Sequence, residues 1–107
     1  MPLSAEIGTP SAGRVPIVLS GALDQDTVGQ LRTAIRSALQ LQPTELDVNF
    51  AQVSFMDSSG LGAIVAAKRW CDDVGCSLRL EALNPALHRR FEISGLIELF
   101  GLSRPPG

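Results

Sequence analysis

Apolar residues return along this chain with two different periods, and the switch between them marks out its elements. Val15 to Leu19 is an unbroken apolar, β-branched run of the kind a buried strand needs. Pro16 has no N–H and limits that strand's pairing on one side near its start. Val28, Leu31, Ile35, Ala38 and Leu39 recur at helical spacing and predict a helix with one apolar face, closed by Pro43. Leu46, Val48 and Phe50 then alternate with Asp47 and Asn49, the period of a strand. A second helical run is predicted from about Ser58 to Asp73, ending before Gly75. Leu78 and Leu80 alternate with Arg79 and Glu81 in a short strand. Leu87 and Phe91 share a face of a third helix. Asn84 stands at its cap, Pro85 at its first position and Gly95 at its end.

The flanking segments carry turn chemistry. Residues 1–14, rich in Gly, Pro, Ser and Ala, predict a short edge strand around Leu3 to Ile7 and a turn or loop from Gly8 to Gly13. Gly21 to Thr27 reads as a loop into the first helix, with Thr27 and Gln30 at capping-box spacing. Ile97 to Leu102 is apolar and leaves a last short strand or a turn open, with 103–107 as a tail. Strands alternating with helices imply parallel crossovers. The expected fold is therefore α/β, one domain over residues 1–107, with a mixed central sheet of about four to five strands and helices packed on it.

Composition narrows the chemistry. A chain of 107 residues fits one domain and buries roughly two-thirds of its unfolded surface, enough for a core without disulfides or metals. A hydrophobic share of 45% against 19% charged argues against disorder. The net charge of −2 gives no reason to expect nucleic acid or an anionic membrane as partner. No apolar run approaches the roughly 20 residues of a membrane span, and the N-terminus lacks the basic start and apolar core of a secretion signal, so a cytoplasmic location is expected. Cys71 and Cys76 lack metal-ligand partners at the right spacing, and reduced, buried or half-buried thiols are expected over a disulfide. No cofactor is implied. Gly60 and Gly62 look like the start of a dinucleotide fingerprint, but Val65 stands where the third glycine belongs. A catalytic triad would need Ser58 or Ser59, His88 and Asp24 or Asp57, yet no Gly-x-Ser-x-Gly elbow is present, so an enzyme is not expected.

The most informative stretch joins the second apolar strand to the second helix, at Met56-Asp57-Ser58-Ser59-Gly60-Leu61-Gly62. Asp and Ser just ahead of a helical run accept the free N–H groups of a first turn. Ser58 or Ser59 is thereby expected at the positive end of the helix with its hydroxyl outward, and Gly60 and Gly62 add little bulk around it. Winding the helix at about 100° per residue puts Gly60, Leu61, Ile64, Ala67 and Cys71 on one side, assigned to the sheet. Gly62, Ala66, Arg69 and Asp73 fall opposite, flanked by Ala63 and Trp70. Small residues let another backbone approach and aromatics anchor interfaces. Ser58, Gly62, Ala63, Ala66 and Trp70 are thus expected to form one docking strip; the alternative for Trp70 is packing under a neighbouring loop.

Ser54 to Gly62 resembles the signature of the STAS domain family, in particular its bacterial anti-sigma factor antagonists. Leu19-Ser20-Gly21-Ala22-Leu23-Asp24, followed by Thr27, is a second match. Leu83-Asn84-Pro85 with Arg90-Phe91-Glu92-Ile93-Ser94-Gly95-Leu96 is a third. The matches are collinear and span roughly Val15 to Leu102. The resemblance implies a switch in which Ser58 is phosphorylated by a partner anti-sigma factor with serine kinase activity and restored by a serine phosphatase. It also implies that Asp24, in the family's Gly-x-Leu-Asp loop, shapes the partner surface beside Ser58, the alternative being a cap on the first helix. Asp57 is expected to cap the second helix and help position Ser58, and Ser59 to be structural. The alternative function is a STAS accessory subunit of a lipid transporter or signalling assembly, docking a different protein through the same surface. Family members often carry a further C-terminal helix; the sequence ends before one, and a face near the last strand is therefore expected to be less covered.

Overall fold

The computed structural model describes residues 3–101. In chain order it contains β1 (Ser4–Ile7), β2 (Arg14–Leu23), α1 (Val28–Leu39), β3 (Glu45–Met56), α2 (Ser58–Asp73), β4 (Ser77–Glu81) and α3 (Pro85–Ile93). The strands form one mixed sheet in the order β1-β2-β3-β4. β1 runs antiparallel to β2, while β2–β3 and β3–β4 are parallel and are joined by α1 and α2. Antiparallel pairing with β1 stops at Ile7 opposite Ile17, beside the N–H-less Pro16.

Alternation decides which sheet face the helices cover. Val15, Ile17 and Leu19 of β2 and Leu46, Val48 and Phe50 of β3 are buried, while Val18 is exposed and Pro16, Asp47 and Asn49 are half-buried. α1 lays Leu31, Ala34, Ile35 and Ala38 onto this core and α2 adds Ile64, Ala67 and Cys71. α3 contributes Leu87 and Phe91, and the Phe91 ring meets Phe100 edge-on at 5.4 Å between centroids. Cys71 and Cys76 are both buried free thiols. Burial pushes the Cys71 thiol up to about 12 and raises Cys76 as well, so neither is a nucleophile near neutral pH.

Two expectations about element limits change. Gly21 to Leu23 belongs to β2, not to a loop, and β3 continues through Met56. The reason is a pair of irregularities that hide the strand period. Val18 faces Asn49 but Ser20 faces Gln52, and Gly21 faces Val53 but Ala22 faces Phe55, so β3 twice inserts an extra residue. Gly21, at φ +106°, takes a conformation in which other residues are strained. The extra residues keep the two strands together up to Leu23 opposite Met56. At the end, where the sequence leaves a strand or a turn open, residues 97–101 form a turn that buries Ile97 and Phe100. Leu102 and the tail 103–107 lie outside the described residues.

α3 ends as its sequence predicts. Asn84 accepts from the Leu87 N–H at 2.8 Å, and Gly95, at φ +72°, carries the chain out of the helix. The Gly95 N–H donates to the Glu92 carbonyl and the Leu96 N–H to the Phe91 carbonyl, the paired bonds of a Schellman stop.

Candidate functional site

Pairing to the very ends of β2 and β3 brings two loops side by side. The Asp57 N–H donates to the Leu23 carbonyl at 3.2 Å, which ties the start of α2 to the β2–α1 loop. In that loop the buried Thr27 does not cap α1 as its spacing with Gln30 suggested. Its hydroxyl instead donates back to the Ala22 carbonyl at 2.8 Å and accepts from the Asp24 N–H at 2.9 Å. Tertiary anchoring thus displaces the local capping box. The half-buried Asp24 accepts from the Asp26 N–H at 2.9 Å through its carboxylate. Its backbone carbonyl accepts from Val28. Asp24 therefore shapes the loop that adjoins the serine, and its side chain makes no cap on α1 like the one Asp57 makes on α2.

Asp57 is the N-cap of α2. Its backbone is extended, at φ −101° and ψ −171°, and its Oδ1 accepts from the Gly60 N–H at 3.1 Å. That leaves the first helical position to Ser58, which is exposed, while Ser59 is half-buried. Gly60 serves packing, not access to the serine. A Cβ there would lie 2.6 Å from the Leu23 carbonyl oxygen and 2.8 Å from Met56 Cγ. Gly62, in contrast, is exposed, and an added Cβ would meet nothing within 4 Å.

The residues assigned to the docking strip differ in exposure. Gly62 is exposed and Ala66 half-buried, but Ala63 is 1% exposed and belongs to the core. The buried stripe of α2 is turned toward Ala63 and away from Leu61, which is half-buried. The physical cause is α1, which packs beside α2 and covers that flank. Trp70 is half-buried with the Arg36 guanidinium of α1 4.7 Å above its ring, so its neighbour is a helix and not a loop. It lies about 120° around the helix from Ser58 and roughly 18 Å along it. The serine and the tryptophan therefore occupy different surfaces.

What sits beside Ser58 is a groove of about 500 Å³ between α2 and α3, lined by Ser58, Leu61, Ala86, Arg89, Arg90, Ile93 and Ser94. The Arg90 guanidinium lies 5.9 Å from the centre of the Phe55 ring. Leu61 and the 73% exposed Ile93 give the groove apolar surface beside two cations and the Ser58 and Ser94 hydroxyls, and Phe55, 47% exposed, adjoins it through Arg90. His88 is not among the groove-lining residues. The sequence reading missed α3 as part of this site. A usable signal was Ile93, an apolar residue two positions from Phe91 and so on the opposite side of the helix from its buried face. Phe55 was hidden by the extra residues in β3.

Comparison with known proteins fits this geometry. The family profile described as "Mlab, STAS domain" matches residues 9–101. An anti-sigma-B factor antagonist of Bacillus subtilis is 33% identical over 89 residues, covering 83% of this chain and 81% of the relative. The anti-sigma factor antagonist SpoIIAA in its unphosphorylated form superposes with a TM-score of 0.69 at 31% identity, covering 84% of this chain and 83% of that one. The phosphorylated form of SpoIIAA, a Bacillus cell fate determinant, gives a TM-score of 0.69 at 32% identity, covering 87% and 85%. Among the described residues no helix is long and apolar enough to cross a membrane.

Proposed function

Since this chain belongs to the STAS domain family, we propose that it is an anti-sigma factor antagonist, a cytoplasmic binding protein whose partner is an anti-sigma factor with serine kinase activity. Unphosphorylated, it engages the partner around Ser58 and releases the sigma factor. In the switching step, a bond forms between the γ-phosphorus of ATP held by the partner and Ser58 Oγ. The bond from that phosphorus to the oxygen bridging to ADP breaks, ADP departs, and the serine proton passes to a base or to solvent. A serine phosphatase reverses the state by hydrolysis.

The observation that carries the reading is the division of labour at the start of α2. Asp57 provides the cap, so the exposed Ser58 hydroxyl is left out of the capping bond. A phosphate there would add about −1.5 to −2 charge. The helix N-terminus accommodates negative charge, so the fold survives it. A partner packed on the serine would not, so the interface is lost.

Two variants test this. Ser58→Ala is expected to retain partner binding and to incorporate no phosphate when incubated with the kinase and ATP, read by mass spectrometry. Ser58→Glu is expected to weaken binding by on the order of 100-fold with little change in melting temperature. Undiminished labelling of Ser58→Ala would overturn the assignment. So would a Ser58→Glu protein that melts far lower yet binds as tightly as the parent.

A further inference from the structure

The groove beside Ser58 holds two cations that the switch as described does not use. Arg89 and Arg90 are exposed residues of α3, and both line the same cavity as Ser58. Among the described residues Arg90 stands over the face of Phe55, a weak contact at a half-exposed ring. An arginine fork forms charge-assisted, bidentate bonds with phosphate oxygens, and these are much stronger. A phosphate on Ser58 would therefore outcompete the ring for Arg90.

We propose that Arg89 and Arg90 are this chain's own receptor for the phosphate on Ser58, so that phosphorylation fills the α2–α3 groove from within. The proposal rests on the reading of Ser58 as the modified residue. In the unphosphorylated protein the groove is open, with Leu61 and Ile93 as apolar lining, and available to a partner side chain. In the phosphorylated protein the phosphate and two guanidinium groups occupy it. The partner then loses a cavity as well as meeting a charge. The opposing charges near the site are Asp57, whose Oδ1 is held by the Gly60 N–H, and Asp24 in the adjoining loop. Both would raise the phosphate's second pKa, whereas the two arginines would lower it. Glu92 and His88 of α3 are not among the groove-lining residues.

The experiment needs no partner kinase. Phosphoserine is installed at position 58 during translation, and its second ionisation is followed by phosphorus NMR against pH at low salt. An unperturbed phosphoserine titrates near about 6. The parent protein is expected to titrate lower than the double variant Arg89→Gln, Arg90→Gln by about 0.5 pH unit or more. A broad-specificity phosphatase is expected to remove the phosphate several-fold more slowly from the parent. Raising salt to about 1 M, where screening acts within about 3 Å, should move the parent's value toward that of the variant; this arm needs no substitution. Coincident titrations of parent and variant, with no salt response in the parent, would overturn the clamp. Should the kinase leave Ser58 unlabelled while the titration shift is present, the switch reading fails and the clamp stands. The reverse pair of results retains the switch and removes the clamp.

Discussion

The two ends of helix α2 each set an arginine over an aromatic ring, and they do opposite things with it. At the C-terminal end Arg36 covers Trp70 at 4.7 Å and closes a seam between two helices. At the N-terminal end Arg90 stands 5.9 Å from Phe55, beside an exposed hydroxyl and an open groove. The first pair ties α1 to α2 beside a cavity that Gln40 and Asp73 also line, and among the described residues no hydroxyl that could be modified stands there. The second borders a serine that can acquire a stronger ligand. The same contact type is thus a fastening in one place and a holding position in the other, and the neighbouring groups decide which.

The sharpest way to break this contrast is at the glycines that set how α2 sits. Gly60→Ala forces a methyl against the Leu23 carbonyl, which cannot yield without parting β2 from α2. We expect a loss of about 2–4 kcal/mol, seen as a melting temperature lower by on the order of 10 °C or more. Gly62→Ala, two residues on, adds a methyl in open space and is expected to stabilise by about 0.5–1 kcal/mol through helix propensity alone. Equal effects at the two positions would show that the tight approach at Gly60 is not what seats the helix.

A pair of substitutions separates the two surfaces. Ala66→Arg, on the half-buried outer face of α2, is expected to fold normally and to lose the partner in calorimetry. Trp70→Ala is expected to cost about 1–2 kcal/mol of stability, a half-buried aromatic and its cation contact, with partner affinity changed less than about threefold. If Trp70→Ala abolishes binding in a folded protein, the surface extends to both ends of the helix.

Much of this was legible in the sequence because it follows from local period and turn chemistry. The spans of α2 and α3 follow from apolar spacing, and the Asp57 and Asn84 caps from single side chains. What was hidden came from contacts across the chain. The extra residues in β3 scrambled its alternation, so β2 and β3 read as too short and Phe55 went unnoticed. Thr27 has capping-box spacing, yet its hydroxyl is drawn to Ala22 by tertiary packing. Ala63 was placed outside because helical winding fixes angles between residues but not where a neighbouring helix lies. The α3 wall of the groove was invisible for the same reason.

The smallest expected effect lies away from either end of α2, on the sheet face opposite the helices. Glu45 and Asp47 are two residues apart on β3, and Glu45 Oε2 and Asp47 Oδ1 are shielded from solvent without a well-aligned hydrogen bond, although Glu45 Oε2 lies 3.3 Å from Arg14 Nε. Two ionised carboxylates can only accept, so they can bond to each other only if one keeps a proton. A hydrogen bond with Asp47, then burial, then the Asp47 charge push the Glu45 carboxyl above its usual range, against the pull of Arg14 and Arg79. A folded-state value above the unfolded one means that the folded chain binds the extra proton. Stability is therefore greatest below the ordinary carboxylate range and falls as pH rises through the raised value. Asp47→Asn removes the like charge and supplies an N–H donor to Glu45, while the Arg14–Glu45 pair at 3.3 Å stays intact. At pH 7 it is expected to stabilise by about 0.5–1 kcal/mol, a rise of a few degrees in melting temperature. The gain should shrink toward zero as pH falls below the ordinary carboxylate range, where Glu45 of the parent is already protonated. A gain that is constant across this pH range would mean that the carboxylates do not share a proton. Loss of partner binding in Asp47→Asn would extend the interface to a face of the sheet far from Ser58.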